Sequence, residues 1–280
     1  MAMKKILITG GTSGIGLEIA RILGKQGHHL LITGRNPEKL AQVKAELSGV
    51  NLITYEADFS KLEQVWKLAE RLCAEHDHID VVINNAGGAN GKRTLTPDGF
   101  ELTFAVNHLA PFLLTHLLLP LLKKSVQGRI INLASSAHYH GKIYKEDLQL
   151  SKGYFILKAY AQSKLANVMF TLDLAEKLKD TNITVHAVHP GVVKTKIGQK
   201  NALGYMGLVW QWITLLKGIS VTEGADNSVW LATTEDTRAL HGKYFHKRKS
   251  VRPAPQAMDL ETRQWLWDES IYLTGLPKDC

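Results

Sequence analysis

Two cysteines in 280 residues, Cys73 in a charged, helix-like stretch and Cys280 at the last position, are too few for a disulfide framework or a metal-ligand cluster. A reducing, cytoplasmic compartment is therefore expected. The opening "MAMKKILITG" has only a short apolar run before its first glycine, which predicts neither a signal peptide nor a membrane anchor. Internal repeats, low-complexity tracts and linkers are missing, so the chain reads as one domain. Recognised nucleic-acid-binding motifs are missing too, and the basic residues behind the net charge of +8 are scattered. No nucleic-acid partner is expected; a basic surface that receives a phosphorylated cofactor fits this balance better. Charge disappears altogether from Leu102 to Leu122, a stretch long enough to span a bilayer. It holds Asn107, His108, Pro111, His116 and Pro120, an expensive set in lipid, so a helix buried against a sheet is expected rather than a transmembrane span.

What is present is enough for one large core, since 45% of the residues are apolar and 21% charged. Short, β-branched runs at 4–9, 29–33, 51–56, 79–84, 128–134 and 182–189 alternate with helix-length segments such as 14–26, 36–47, 60–76 and 157–179. That order predicts a doubly wound α/β domain, with a parallel sheet covered by helices on both faces.

Between the first strand and first helix lies "TGGTSGIG", residues 9–16. Glycines there let the chain turn sharply and bring backbone N–H groups to a pyrophosphate at the positive end of the next helix. The spacing of Gly10, Gly14 and Gly16 departs from the commoner G-x-G-x-x-G fingerprint. At the end of the second strand, where an NAD-binding protein places an acid for the ribose 2′-hydroxyl, stand Gly34 and Arg35. A guanidinium there grips a 2′-phosphate through paired, charge-assisted hydrogen bonds, so NADP(H) is expected over NAD(H).

Two Tyr–Lys pairs at helical spacing, Tyr154 with Lys158 and Tyr160 with Lys164, overlap in "GYFILKAYAQSK". At about 100° per residue, Leu157, Ala161, Leu165, Val168 and Leu172 form one apolar stripe, with Tyr160, Lys164, Asn167 and Thr171 along its edge. Tyr154 would fall within the stripe, as core or helix-entry packing. Tyr160 and Lys164 are the candidate reactive pair. In "RIINLASSAH" a strand end presents Ser135 and Ser136 at the carboxyl edge of the sheet, where ligands of open α/β folds bind.

Together "TGGTSGIG", "NNAG" at 84–87, Asn107, "SS" at 135–136, "YAQSK" at 160–164 and "HPGVVKT" at 189–195 resemble the short-chain dehydrogenases/reductases, in that family's order and over nearly the whole chain. "VNHLAPFLLT" (106–115), "SKLANVMF" (163–170) and "LWDES" (266–270) are most similar to retinol dehydrogenases and the catalytic domain of the WW-domain oxidoreductase. The resemblance implies a Rossmann-type domain with a dinucleotide-binding half at about 1–135. The catalytic and substrate-binding half would be about 136–280, with a substrate lid at about 192–220. It implies hydride transfer between nicotinamide and a carbonyl or alcohol carbon, with Asn107, Ser135, Tyr160 and Lys164 as the catalytic set. Ser135 is chosen over Ser136, and Asn107 is matched to an asparagine that interrupts a helix; a buried asparagine capping a helix break would look the same. Cofactor contacts are expected from Gly10, Thr12, Ser13, Gly14, Ile15, Gly16, Arg35, Asp58, Phe59, Asn85, Ala86, Gly87, Tyr160, Lys164, Pro190, Gly191, Val193 and Thr195. Phe59 stands where a smaller aliphatic residue is usual beside the adenine. For Tyr160 to work near neutrality, Lys164 and the oxidised nicotinamide must lower its pKa by about three units.

A non-catalytic dinucleotide sensor or scaffold is the alternative, disfavoured because all four catalytic side chains are present. An extended-type epimerase or dehydratase is disfavoured by the glycine spacing and the lack of a long C-terminal domain. The uncharged segment 201–216, with two tryptophans, must bury against the core, a lipophilic substrate, or a membrane surface or partner chain. Expected partners are therefore a small carbonyl or alcohol, peripheral membrane contact through 201–216, and a second copy (homodimer or homotetramer) through the two long sheet-covering helices.

Overall fold

The computed structural model describes residues 2–193, 218–235 and 237–277. Thr195, the segment 201–216 and most of the expected lid at 192–220 lie outside the described residues. Among the described residues seven strands run parallel: β1 (Lys5–Ile8), β2 (His29–Gly34), β3 (Leu52–Glu56), β4 (Val81–Asn84), β5 (Gly128–Leu133), β6 (Ile183–His189) and β7 (Lys243–His246). An eighth, β8 (Lys249–Val251), returns antiparallel to β7, so the expected parallel sheet carries one reversed edge. The order is β3-β2-β1-β4-β5-β6-β7-β8. Strand order reverses between β1 and β4, and in such sheets the crevice outside the carboxyl ends at that point takes the ligand.

The period-two side-chain pattern explains the two-sided core. In β1, Leu7 faces one layer while Ile6 and Ile8 face the other, and Val82 is likewise separated from Val81 and Ile83 in β4. One layer packs α1 (Gly14–Lys25), α2 (Pro37–Glu46) and α7 (Val221–Thr233) on the sheet. The other packs α3 (Leu62–Glu75), α5 (Ala110–Lys123), α6 (Ile156–Lys177) and α8 (Leu260–Thr274). Helix α8 packs on α5 and α6 through Leu266, Trp267 and Ile271.

The uncharged stretch forms α4 (Leu102–Phe104), a π turn (Ala105–Leu109) and α5 in sequence. Among the described residues this Leu102–Lys123 helix alone is long and apolar enough to cross a membrane. Of its most apolar window, 78% is buried inside the protein, as a core helix requires. Helix α6 departs from the two-sided pattern read from its phase. Residues 161–171 are buried all round, polar Ser163, Lys164, Asn167 and Thr171 included, while Leu157 on the expected apolar stripe is 40% exposed. The helix is enclosed by the sheet on one side and by α4, α8 and the turns at Ser136–His140 and Pro255–Met258 on the others.

Candidate active site

The first glycine loop is held by hydrogen bonds from the residues around it. Thr9 closes β1 with its N–H on the Ile83 carbonyl at 3.0 Å, and its hydroxyl accepts the N–H groups of Asn85 and Ala86 at 3.0 and 2.9 Å. Asn85 Nδ2 donates to the carbonyls of Thr9 and Gly10 at 2.7 and 3.2 Å. The loop and the "NNAG" segment are thus one hydrogen-bonded unit. A Cβ on Gly16 would stand 2.4 Å from Asn85 Nδ2 and 2.5 Å from the Gly10 carbonyl oxygen, so only glycine fits there. Helix α1 begins at Gly14 behind Ser13, whose side chain makes no cap bond, and its first turn holds no acidic residue. Its N-terminal N–H groups and dipole are left for an anion, which matches what a pyrophosphate needs.

At the end of β2, Gly34 packs against Thr12: a Cβ there would meet the threonine methyl at 2.5 Å. Arg35 follows, exposed, with no ion pair or hydrogen bond to its guanidinium among the described residues. Beyond β3, one Asp58 carboxylate oxygen accepts from Ser60 N–H at 3.1 Å, and the Asp58 N–H donates to Gln64 Oε1 at 2.8 Å. The Phe59 side chain turns away into the core with Leu62 and Val65, 5% exposed, so its bulk is spent on packing. Gly191 and Val193 lie beyond β6, Val193 bridging to Ile219 and packing on Gly224 near Ile15.

Helix α6 brings up Tyr160 and Lys164. Lys164 is 5% exposed, and its Nζ donates to the Leu133 carbonyl at 2.8 Å, an acceptor it shares with Asn167 Nδ2 at 3.3 Å. No carboxylate pairs with it among the described residues, and burial pushes its pKa down to about 8. Its Nζ is 5.6 Å from the Tyr160 ring centre. Tyr160 is partly exposed; burial pushes its pKa above the usual phenol value, and the nearby Ser135 side chain pulls the other way. Asn107 lies in the π turn, a helix irregularity often found at functional sites. Its amide accepts from Gly88 N–H at 2.8 Å and donates to Gly88 O and Ser163 Oγ, each at 2.9 Å. A Cβ on Gly87 would lie 2.9 Å from Asn107 Oδ1 and 3.6 Å from Lys164 Nζ, so "NNAG", Asn107 and Lys164 meet at one point.

Tyr154 stands outside α6. Its hydroxyl donates to the Asn90 carbonyl at 2.6 Å, and Lys158 lies over the Tyr144 ring at 4.1 Å, so the second Tyr–Lys pair does not form. Sequence reasoning missed Ser163, Gly88 and the Leu133 carbonyl. The last two act through backbone atoms that no residue type announces.

The family model for short chain dehydrogenases matches residues 4–205. The chain belongs to that family. This dehydrogenase is 40% identical to retinol dehydrogenase 12 of Bos taurus over 98% of its own length and 87% of the relative's. Among solved structures it is similar to an uncharacterised protein of Mycobacterium paratuberculosis, with a TM-score of 0.80 at 29% identity over 98% of this chain and 94% of that one. It is also similar to an actinorhodin polyketide ketoreductase variant crystallised with NADPH, with a TM-score of 0.68 at 26% identity over 87% and 95%. It is an oxidoreductase acting on CH–OH and C=O groups.

The buried ammonium carries a stability consequence. Lys164 has a folded pKa of about 8 against 10.5 unfolded, so below pH 8 the fold bears the cost of a buried charge that has no carboxylate partner among the described residues. Between about pH 8 and 10.5 the unfolded chain binds a proton that the folded one does not, and the cost fades as pH rises. Lys164→Met should therefore raise the unfolding free energy at pH 7 by about 1–3 kcal/mol. The gain should shrink when urea unfolding is repeated at pH 10. Equal destabilisation at both pH values would show that Lys164 supports the fold.

Proposed function

We propose that this dehydrogenase moves a hydride between NADP(H) and the carbonyl or alcohol carbon of a lipophilic small molecule, with Tyr160 as general acid and base. One observation carries the reading: a buried Lys164 without a counter-charge among the described residues stands one helical turn from Tyr160, its ammonium 5.6 Å from the phenol ring centre, with Ser135 beyond the carboxyl end of β5 lowering the phenol's proton affinity. Bound NADP(H) supplies the hydride acceptor or donor. The loop Gly10–Gly16, Thr12 and Ser13 included, with the α1 N-terminus, would cradle its pyrophosphate. Asp58 with the Phe59 backbone would border the adenine, and Asn85, Ala86 and Gly87 would line the centre. Pro190, Gly191 and Val193 would border the nicotinamide end.

Lys164 has one main-chain acceptor and two further N–H groups for ribose hydroxyls, and it faces Tyr160 as a positive charge that favours the phenolate. Ser135 donates to the substrate oxygen as charge develops there, while Tyr160 delivers or removes the proton. Preference for NADP(H) follows from Arg35, whose guanidinium finds no partner among the described residues, and agrees with the NADPH of the ketoreductase relative. A lipophilic substrate is favoured by the likeness to a retinol dehydrogenase and by exposed Phe155 and Leu157 at the opening of α6. The working compartment is reducing and cytoplasmic, in keeping with the free, exposed thiol of Cys73.

Purified protein, NADPH and a panel of ketones, aldehydes and retinoids, followed by NADPH absorbance, separate an enzyme from a dinucleotide sensor. Tyr160→Phe should lower kcat about 10²- to 10⁴-fold and leave the Kd for NADPH within about threefold. Retained turnover would remove Tyr160 from the proton path. Arg35→Asp should lower the ratio of kcat/KM for NADPH over NADH about 10- to 100-fold, the value of one or two hydrogen bonds to a charged group. An unchanged ratio would mean that the 2′-phosphate is read elsewhere.

A further inference from the structure

Beyond β5 the chain passes into the site through one peptide unit, that joining Ser135 to Ser136. Both of its polar groups are taken by imidazoles from different parts of the fold. The Ser135 carbonyl accepts from His138 Nδ1 at 2.6 Å, and from the His138 main-chain N–H at 3.1 Å. The Ser136 N–H donates to His189 Nδ1 at 3.3 Å, and the same nitrogen accepts the Gly191 N–H, also at 3.3 Å. A carbonyl only accepts and an N–H only donates, so the two rings hold opposite tautomers: His138 is protonated on Nδ1 and His189 on Nε2. His138 Nε2 accepts the Ala254 N–H at 3.0 Å, which requires that same tautomer and ties the peptide to the segment after β8. His138 is wholly buried and His189 8% exposed. Tyr139 and Tyr244 face the first ring and His246 stacks on the second. Burial holds both rings below the usual histidine pKa, His189 down to about 4 with His246 and His138 adding to the effect, so both are neutral at pH 7.

We propose that His138 and His189 are positioning residues that aim the Ser135 hydroxyl by clamping the peptide that follows it. This rests on the reading of Ser135 and Tyr160 as the groups that handle the substrate oxygen and its proton. Upstream, the Ala134 N–H is fixed on the Val188 carbonyl at 2.8 Å, so sheet pairing holds the serine backbone from one side and the imidazoles hold it from the other. The side-chain torsion is the remaining freedom, and the Ala137 N–H restrains it by donating to Ser135 Oγ at 3.2 Å. If the clamp is removed, the peptide turns about the Ser135 Cα–C bond, and Ala137 moves with it. The hydroxyl then loses its aim without losing its place in the chain.

The test uses purified full-length protein with NADPH and all-trans-retinal, decanal or cyclohexanone, on whichever of the three is reduced fastest. His138→Leu and His189→Leu should lower kcat about 10- to 100-fold while the KM for NADPH stays within about threefold. In His138→Asn the amide Nδ2 replaces the Nδ1–H donor, and in His189→Asn Oδ1 replaces the Nδ1 acceptor. Both asparagine variants should recover kcat to within about threefold of wild type even though their melting temperatures fall, a split that a purely structural role does not produce. If the leucine variants fail to fold, the asparagine variants decide alone. Folded leucine variants with unchanged kcat, or folded asparagine variants slowed more than about tenfold, would overturn the clamp. Wild type inert toward all three carbonyls, or Tyr160→Phe as active as wild type, would instead overturn the underlying reading.

Discussion

Lys164 is held at 5% exposure beside the carboxyl end of β5, with a main-chain carbonyl as acceptor and no carboxylate partner among the described residues. Such a charge is costly to bury, and it persists only where the surroundings over-determine it. Much of the molecule does so. α6 is enclosed around residues 161–171, polar side chains included. The π turn at Asn107 lets a core helix hold Gly88 and Ser163, and this brings the "NNAG" segment against the lysine. A site prepared in this way has positive charge where a dinucleotide's hydroxyls and a phenolate would need it.

The same logic of prior organisation governs the other end of the crevice. Thr9 and Asn85 tie the glycine loop to β4 across the point where strand order reverses, so protein hydrogen bonds hold the loop there. Gly16 and Gly87 are needed for close approach, one to Asn85 and Gly10, the other to Asn107 and Lys164. Both ends of the site therefore depend on the short run from Asn84 to Gly88. Asn84 lies in the sheet itself, its Nδ2 bonded to Thr115 and Asn132, so the run is anchored to α5 and β5 as well.

Much of this was legible in the sequence. The first six strands and the helices of the first half fall within a few residues of the apolar runs that predict them, because a strand buried on both faces reads as an uninterrupted apolar segment. The β7–β8 hairpin was not legible. Its turn places Lys247 and Arg248 at φ of 48° and 58°, where Asn-Gly would have announced it. Asp226 and Asn227 of α7 hold that turn through the Arg248 guanidinium and N–H, a tertiary cause that local sequence cannot display. In the site, helical spacing singled out Tyr160 with Lys164, and the fold holds that ammonium 5.6 Å from that ring centre. The Leu133 carbonyl, the Gly88 peptide and the enclosure of α6 depend on what the fold brings alongside, and the burial of Lys164 and the raised pKa of Tyr160 follow from that enclosure.

The proposed chemistry needs a phenol whose proton affinity, raised by burial, is lowered by positive charge when the cofactor binds. Protein labelled with ¹³C at the tyrosine Cζ, compared with Tyr160→Phe to assign the resonance, reports that titration directly. Without cofactor, Tyr160 should stay protonated up to and beyond the usual phenol pKa near 10. Saturating NADP⁺ should bring its midpoint down by about 1–3 units, as opposite charge within a few ångström does. A midpoint that NADP⁺ leaves unmoved would contradict the claim that Lys164 and the cofactor together tune Tyr160.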